Sequence, residues 1–290
     1  MEQKRKDNIK IIECPRDAMQ GIREFIPTEV KVNYLNTLLS VGFDTIDCGS
    51  FVSPKAIPQM ADTGEVIKKL SIRNAKSKLL TIVANKRGAV DSSHYDEVHY
   101  LGYPLSLSET FQQRNTNKSI AAAFDDIEFI QNLCAKSRKV LVCYISMGFG
   151  NPYGDPYDMG YVGEFVKRLA ELEVKVISLA DTIGVSNIEN ITYLFNSVIP
   201  AFPHIEFGAH LHSHPVSARE KIEAAYKAGC RRFDGAIRGF GGCPMANDSL
   251  VGNIATETII DYFESNDISL PLNKENFSKA MKLAGEVFPA

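Results

Sequence analysis

The stretch Ile11-Ile12-Glu13-Cys14-Pro15-Arg16-Asp17 lies near the start of this 290-residue chain and decides its architecture. A short β-branched run, residues 11–14, stops abruptly at a proline, an arginine and an aspartate. In an open doubly wound sheet that binds a dinucleotide, the first strand runs into G-x-G-x-x-G, whose glycines let the backbone approach a pyrophosphate. Charged residues stand there instead. A (β/α)8 barrel takes its working groups from the C-terminal ends of its strands, and an arginine–aspartate pair suits that position.

Seven further apolar, β-branched runs follow, at residues 45–48, 78–84, 97–101, 140–145, 174–179, 205–211 and 232–237. Between them lie helical patterns at 28–41, 155–172, 187–198 and 217–228, the first opening on Thr28 as a capping residue. Eight strands alternating with helices over ~250 residues predict an α/β fold of the TIM-barrel kind, with the doubly wound sheet as the competing architecture. The segment after Ile254 adds helices, ending at 276–287, that close the bottom of the barrel or flank it. Residues 1–290 are therefore expected to form a single catalytic domain with a C-terminal helical extension.

Composition narrows the functional classes. With 44% hydrophobic and 23% charged residues the chain reads as a soluble globular protein. A net charge of −3 argues against a general nucleic-acid binder but leaves room for a local basic patch facing a phosphorylated ligand. No apolar run approaches the ~20 residues of a membrane span. A strand is expected directly after the basic residues 1–10, leaving no room for a signal or transit peptide. The six cysteines form no C-x-x-C pair and no zinc spacing, which predicts reduced thiols and a cytoplasmic protein.

The predicted strand ends carry the chemistry. His210 and His212 stand two apart on a strand and so point the same way. Asp17, at the end of the first strand, can reach the same cavity. An Asp–His–His set with an amide oxygen from Asn253 suits Mg²⁺ or Mn²⁺, with Zn²⁺ next. Arg16 offers a guanidinium fork for an anionic oxygen, or else a salt bridge to Asp47 or Asp181. Cys243 lies in the glycine-rich stretch 239–247, GFGGCPMAN, an unusual place for a cysteine.

Five blocks in order carry a family resemblance: 12–20 (IECPRDAMQ), 50–60 (SFVSPKAIPQM), 178–184 (SLADTIG), 239–244 (GFGGCP) and 252–257 (GNIATE). Together they resemble 3-hydroxy-3-methylglutaryl-CoA lyase, and the SFVSPK and GGCP blocks are specific to it. The Arg-Asp and H-x-H features are shared with a wider superfamily of metal-dependent Claisen-type barrels. The resemblance implies a retro-Claisen cleavage of 3-hydroxy-3-methylglutaryl-CoA, or a related 3-hydroxyacyl-CoA, to acetyl-CoA and acetoacetate, as in leucine degradation and ketone-body formation. It implies Mg²⁺ or Mn²⁺ on Asp17, His210, His212 and Asn253, with His210 also counted among the catalytic residues. Arg16 would stabilise the enolate, Cys243 would act as acid or base on a mobile loop, and Asp181 would support the Arg16 and substrate-hydroxyl region. A homodimer is the expected assembly.

The chain departs from the family pattern at identifiable places. Asp47 stands for a glutamate, and Ser213-His214 for an Asp-Thr pair, adding a third histidine near the metal. Arg238-Gly239-Phe240 stands for Ala-Gly-Leu, Met245 for a tyrosine, and the segment from Cys243 to Asn253 is one residue longer. Lys55, Lys86 and Arg87, after the second and third strands, are the expected contacts for the CoA phosphates. Three other readings compete: an acyl-CoA-dependent synthase that condenses with a 2-oxo acid, a CoA-independent carbonyl aldolase, and a non-catalytic metal-binding barrel.

Overall fold

The alternating pattern closes on itself. A computed structural model describes residues 7–242 and 251–288. Its eight strands are β1 (Lys10–Glu13), β2 (Thr45–Ser50), β3 (Lys78–Ile82), β4 (Val98–Ser106), β5 (Val140–Ser146), β6 (Val176–Asp181), β7 (Glu206–Leu211) and β8 (Arg232–Gly235). All pair in parallel with their sequence neighbours, and β8 returns to β1 with Lys10 opposite Arg232 and Glu13 opposite Gly235. That last pairing excludes the open doubly wound sheet.

Two expectations need correction. The fourth strand runs on to Ser106, five residues past its predicted end. Gly102 and Pro104 break the apolar pattern that marks a strand, yet both keep register with β5, opposite Val142 and Tyr144. Gly102 answers to crowding, since a Cβ there would lie 2.6 Å from Ile82 Cδ1. Thr28 is the first residue of the Thr28–Val41 helix rather than its cap, which is Pro27. Its hydroxyl instead donates to Asp62 at 2.8 Å and ties that helix to the segment after β2.

The barrel interior is layered. At the strand starts, the fully buried Arg232 donates to Glu206 at 3.2 Å, and Lys10 bonds the same carboxylate at 2.5 Å. Above this polar floor sits a small apolar layer of Leu80, Tyr100, Val142, Tyr144 and Val176. The larger apolar core lies outside the strands, under the helices. Polar groups are thus left to the C-terminal mouth.

The C-terminal helices flank the barrel. Thr256–Ser265 packs Phe263 edge-on against Phe233 of β8, with ring centroids 5.2 Å apart. Lys274–Val287 lies along Thr28–Val41, where Asn276 Nδ2 donates to Ser40 O at 2.9 Å. Phe288 meets Tyr34 edge-on at 5.7 Å. Among the described residues no helix is long and apolar enough to cross a membrane.

Candidate active site

Pro15 opens a six-residue helix, Pro15–Gln20, directly after β1. Its fixed φ suits the first helical position, and the turn that follows carries both Arg16 and Asp17 into the mouth. Asp17, His210 and His212 each bring a ligand atom within 4.8 Å of the others. Asn253 reaches them because residues 251–254 fold back over the end of β7. His212 and Asn253 form an antiparallel bridge, and Ser213 N donates to Gly252 O at 3.1 Å. The Asn253 amide nitrogen donates to Asp17 Oδ2 at 2.5 Å and to Phe240 O at 3.0 Å. With the amide turned over, its oxygen would stand where the nitrogen now meets Asp17.

Each histidine ring is held through its Nδ1. His212 Nδ1–H donates to Thr182 O at 3.1 Å, which puts the lone pair on Nε2. That Nε2 is buried and has no hydrogen-bond partner among the described residues. Burial, reinforced by the neighbouring His210, lowers the His212 pKa to about 4, so it is neutral at pH 7. His210 Nδ1 bonds Asp234 Oδ2 at 3.2 Å, a carboxylate behind an imidazole as in many metal centres. Burial disfavours the His210 cation, but Asp234 and Asp17 outweigh it and hold the pKa above the ordinary value. Burial raises the pKa of Asp17 as well, and Arg16 and the two histidines more than reverse that. An orphaned imidazole nitrogen, a second imidazole braced by a carboxylate and an ionised aspartate fit a divalent cation.

Arg16 is fixed from several sides. Nε and Nη2 donate to Asp47 Oδ2 at 2.9 and 2.5 Å, and Nη1 to Asp17 Oδ1 at 3.1 Å and Gln20 Oε1 at 2.9 Å. The shorter Asp47 therefore still holds the arginine. Its other oxygen, Oδ1, is buried without a partner among the described residues, and burial pushes the Asp47 pKa up to about 6 against the pull of Arg16.

Several expected residues are not brought here. Asp181 turns away from Arg16 and accepts from Val185 N and Ser186 N, both at 2.9 Å, and from Lys221 Nζ at 3.3 Å. It caps the turn after β6, because backbone N–H groups left free there need an acceptor. His214 is exposed at the start of the Pro215–Lys227 helix, so there is no third histidine among the donors. Cys243 and Met245 lie outside the described residues. The glycines that lead to Cys243 do sit at the site: Gly241 has φ +99°, and a Cβ there would meet Asn253 Nδ2 at 2.7 Å and Asp17 O at 2.9 Å.

The mouth opens into a cavity of about 440 Å³. Arg16, Asp17, Asp47, His210 and His212 line it, together with Arg114 to Asn117 after β4. Lys55, Lys86 and Arg87 do not line it. Lys55 is exposed, Lys86 Nζ lies over the Phe129 ring at 5.5 Å, and Arg87 faces Asp91 at 3.7 Å. Arg87 borders a smaller adjoining cleft of about 240 Å³. The sequence also gave no notice of Asp234, Arg114 or Cys14, whose thiol lies beside His210 and Asp234. For Asp234 a signal existed, since Asp234 shares the inward parity of Arg232 on β8.

A closed parallel barrel with an Asp–His–His donor set and a braced arginine at its C-terminal mouth defines a TIM barrel equipped for divalent-metal chemistry. The chain matches the HMGL-like family model over residues 8–284 and belongs to that family. It is 31% identical over 268 residues to the Bacillus subtilis (strain 168) hydroxymethylglutaryl-CoA lyase YngG, covering 92% of this chain and 89% of that one. It is 32% identical over 255 residues to the cytoplasmic 3-hydroxy-3-methylglutaryl-CoA lyase of Danio rerio, covering 87% and 75%. A solved HMG-CoA lyase from Acinetobacter baumannii, in complex with coenzyme A and 3-methylmalate, superposes with a TM-score of 0.89. It shares 27% identity over 97% of this chain and 91% of that one.

Proposed function

We propose that this protein is a divalent-metal-dependent carbon–carbon lyase that cleaves 3-hydroxy-3-methylglutaryl-CoA to acetyl-CoA and acetoacetate. The observation that carries this reading is the convergence of Asp17, His210 and His212 within 4.8 Å, beside a guanidinium already held in place. Asp17, His210 and His212 would hold the ion, with Asn253 as a fourth donor once its amide turns. Mg²⁺ or Mn²⁺ suits a set with carboxylate, amide and imidazole donors. When bound, such an ion acidifies and orients the tertiary hydroxyl of the substrate.

The protein's own groups supply the rest. The hydroxyl gives up its proton to water in the cavity, and the bond between C2 and C3 breaks as the oxygen's electrons form the C3 ketone of acetoacetate. The bonding electrons pass into the thioester as an enolate, whose oxygen Arg16 would stabilise. Asp47 keeps the guanidinium oriented. The enolate carbon then takes a proton, and Cys243, next to the glycines that press on Asp17 and Asn253, is the proposed donor. A thiol of ordinary pKa near ~8.5 is protonated at neutral pH and able to give up its proton. We place the reaction in the cytoplasm, with acetoacetate linking it to leucine degradation and ketone-body formation. The working unit is one catalytic domain per chain, in a homodimer.

The test is direct. Purified protein with Mn²⁺ or Mg²⁺ and a thiol reductant should release acetyl-CoA and acetoacetate from 3-hydroxy-3-methylglutaryl-CoA, and chelation should abolish release. Cys243→Ala should lower kcat by about 10²–10⁴-fold, the range for loss of a general acid or base. No release with metal and reductant present rules this substrate out. Full activity in Cys243→Ala would instead point to an aldolase without a thiol acid.

A further inference from the structure

The basic residues expected to meet the CoA phosphates do not line the cavity, yet a different one does. We infer that Arg114 is the anion anchor at the outer end of the cavity and receives a phosphate of coenzyme A. This inference rests on the acyl-CoA reading above.

Arg114 lines the cavity and is exposed, whereas Arg16 is only 8% exposed. Nearby Lys118 is paired with Asp126, but among the described residues no carboxylate lies within ion-pair distance of Arg114. A cation at a cavity rim without an acidic partner is open to an incoming anion.

The guanidinium is also positioned in advance. Its Cζ lies 4.7 Å over the Tyr153 ring, and Tyr153 stacks on Phe111 with centroids 6.3 Å apart and an interplanar angle of 17°. Phe111 and Arg114 belong to the same helix, Glu109–Thr116. The loop that carries Tyr153 is bound to the start of that helix through Asp155. Its carboxylate accepts from the Ser108 hydroxyl, and from Thr110 N and Oγ1, each at 2.9 Å. A guanidinium stacked on a ring keeps its N–H edge free, and that edge matches two phosphate oxygens.

The chemistry of the lining selects the anion. The buried part, with Arg16 and the metal donors, suits the reacting acyl group. Val52, Ile57, Ile82, Pro104 and Phe111 supply apolar surface suited to the pantetheine arm. A cation left in water suits a group that stays hydrated, which a phosphate does and a buried acyl carboxylate does not.

Equilibrium binding of coenzyme A and of pantetheine, which lacks the phosphates, tests this without turnover. Arg114→Gln should weaken coenzyme A about five- to tenfold at low salt and leave pantetheine unchanged, with the difference shrinking as salt rises. Arg114→Lys should recover part of the loss, and Tyr153→Leu should weaken coenzyme A with the charge intact. Equal affinity of wild type and Arg114→Gln for coenzyme A overturns the inference, as does an equal loss for pantetheine. Failure of the wild type to bind coenzyme A at all overturns the acyl-CoA reading itself, and is distinguished by that control.

Discussion

Asp234 sets the orientation of one of the metal donors without facing the ion. It bonds His210 Nδ1 and so leaves Nε2 as the nitrogen available to an ion. Asp234→Asn should therefore weaken Mn²⁺ binding about 10–100-fold, the usual cost of losing such a support. Titration followed by electron paramagnetic resonance measures this, and unchanged affinity would mean the barrel wall alone orients His210. Glu13 gives a second prediction at this scale. It is fully buried, accepting from Ile237 N at 2.9 Å and Thr256 Oγ1 at 2.5 Å. Burial raises its pKa from 4.5 to about 8, against the pull of those two bonds. The folded state thus holds a proton that the unfolded chain releases near pH 4.5. Its contribution is full below that pH and is lost as pH rises through 8. Glu13→Gln should remove this loss, so that stability relative to wild type rises by on the order of a few kcal/mol between pH 5 and pH 9. Denaturant unfolding at the two pH values checks it, and parallel profiles would refute the assignment.

At the level of elements, the glycine segment after β8 is the part most tightly fitted to the site. Gly241 has φ +99°, where a side chain is strained, and its α-hydrogen faces Asn253 and the Asp17 carbonyl. Gly241→Ala should destabilise the fold by about 1–2 kcal/mol from backbone strain alone. It should also lower Mn²⁺ affinity, because the added methyl displaces Asn253. Thermal unfolding and metal titration read the two effects separately, and wild-type behaviour in both would show that the segment is free to move aside. The base of this segment is held from outside the barrel. Phe240 stacks on Phe288 at 4.9 Å, and Arg238 Nη2 donates to Met281 O at 3.2 Å. Element identity was largely legible, since period-two and helical spacing mark strands and helices wherever the interior is apolar. It failed where packing overrode pattern. β4 extends through Gly102 and Pro104, which stay in register with β5 although neither carries the β-branched or aromatic side chain that marks a strand. Thr28 does not cap because its hydroxyl is taken by Asp62, a partner 34 residues away.

For the whole molecule, a metal that binds only the folded barrel must stabilise it. At about 100 times its Kd, Mn²⁺ should add about 2.7 kcal/mol to unfolding stability. The rise in Tm should vanish in His212→Ala, because the wild-type Nε2 is buried without a partner among the described residues. Equal Tm with and without Mn²⁺ in the wild type would show that the donor set does not bind the ion.

The sequence by itself determined the barrel and the gathering of Arg16, Asp17, His210 and His212 at one of its ends. These follow from spacing along single strands and from proximity in the chain, which obey fixed periods. Only the tertiary structure decided the partners. Asp47 and Asp181 look alike as strand-end aspartates, yet one braces Arg16 and the other caps a turn. Lys55, Lys86, Arg87 and Arg114 all follow strands, yet only Arg114 lines the cavity. Such choices depend on side-chain direction and on neighbours far away in the chain, and no local period encodes them.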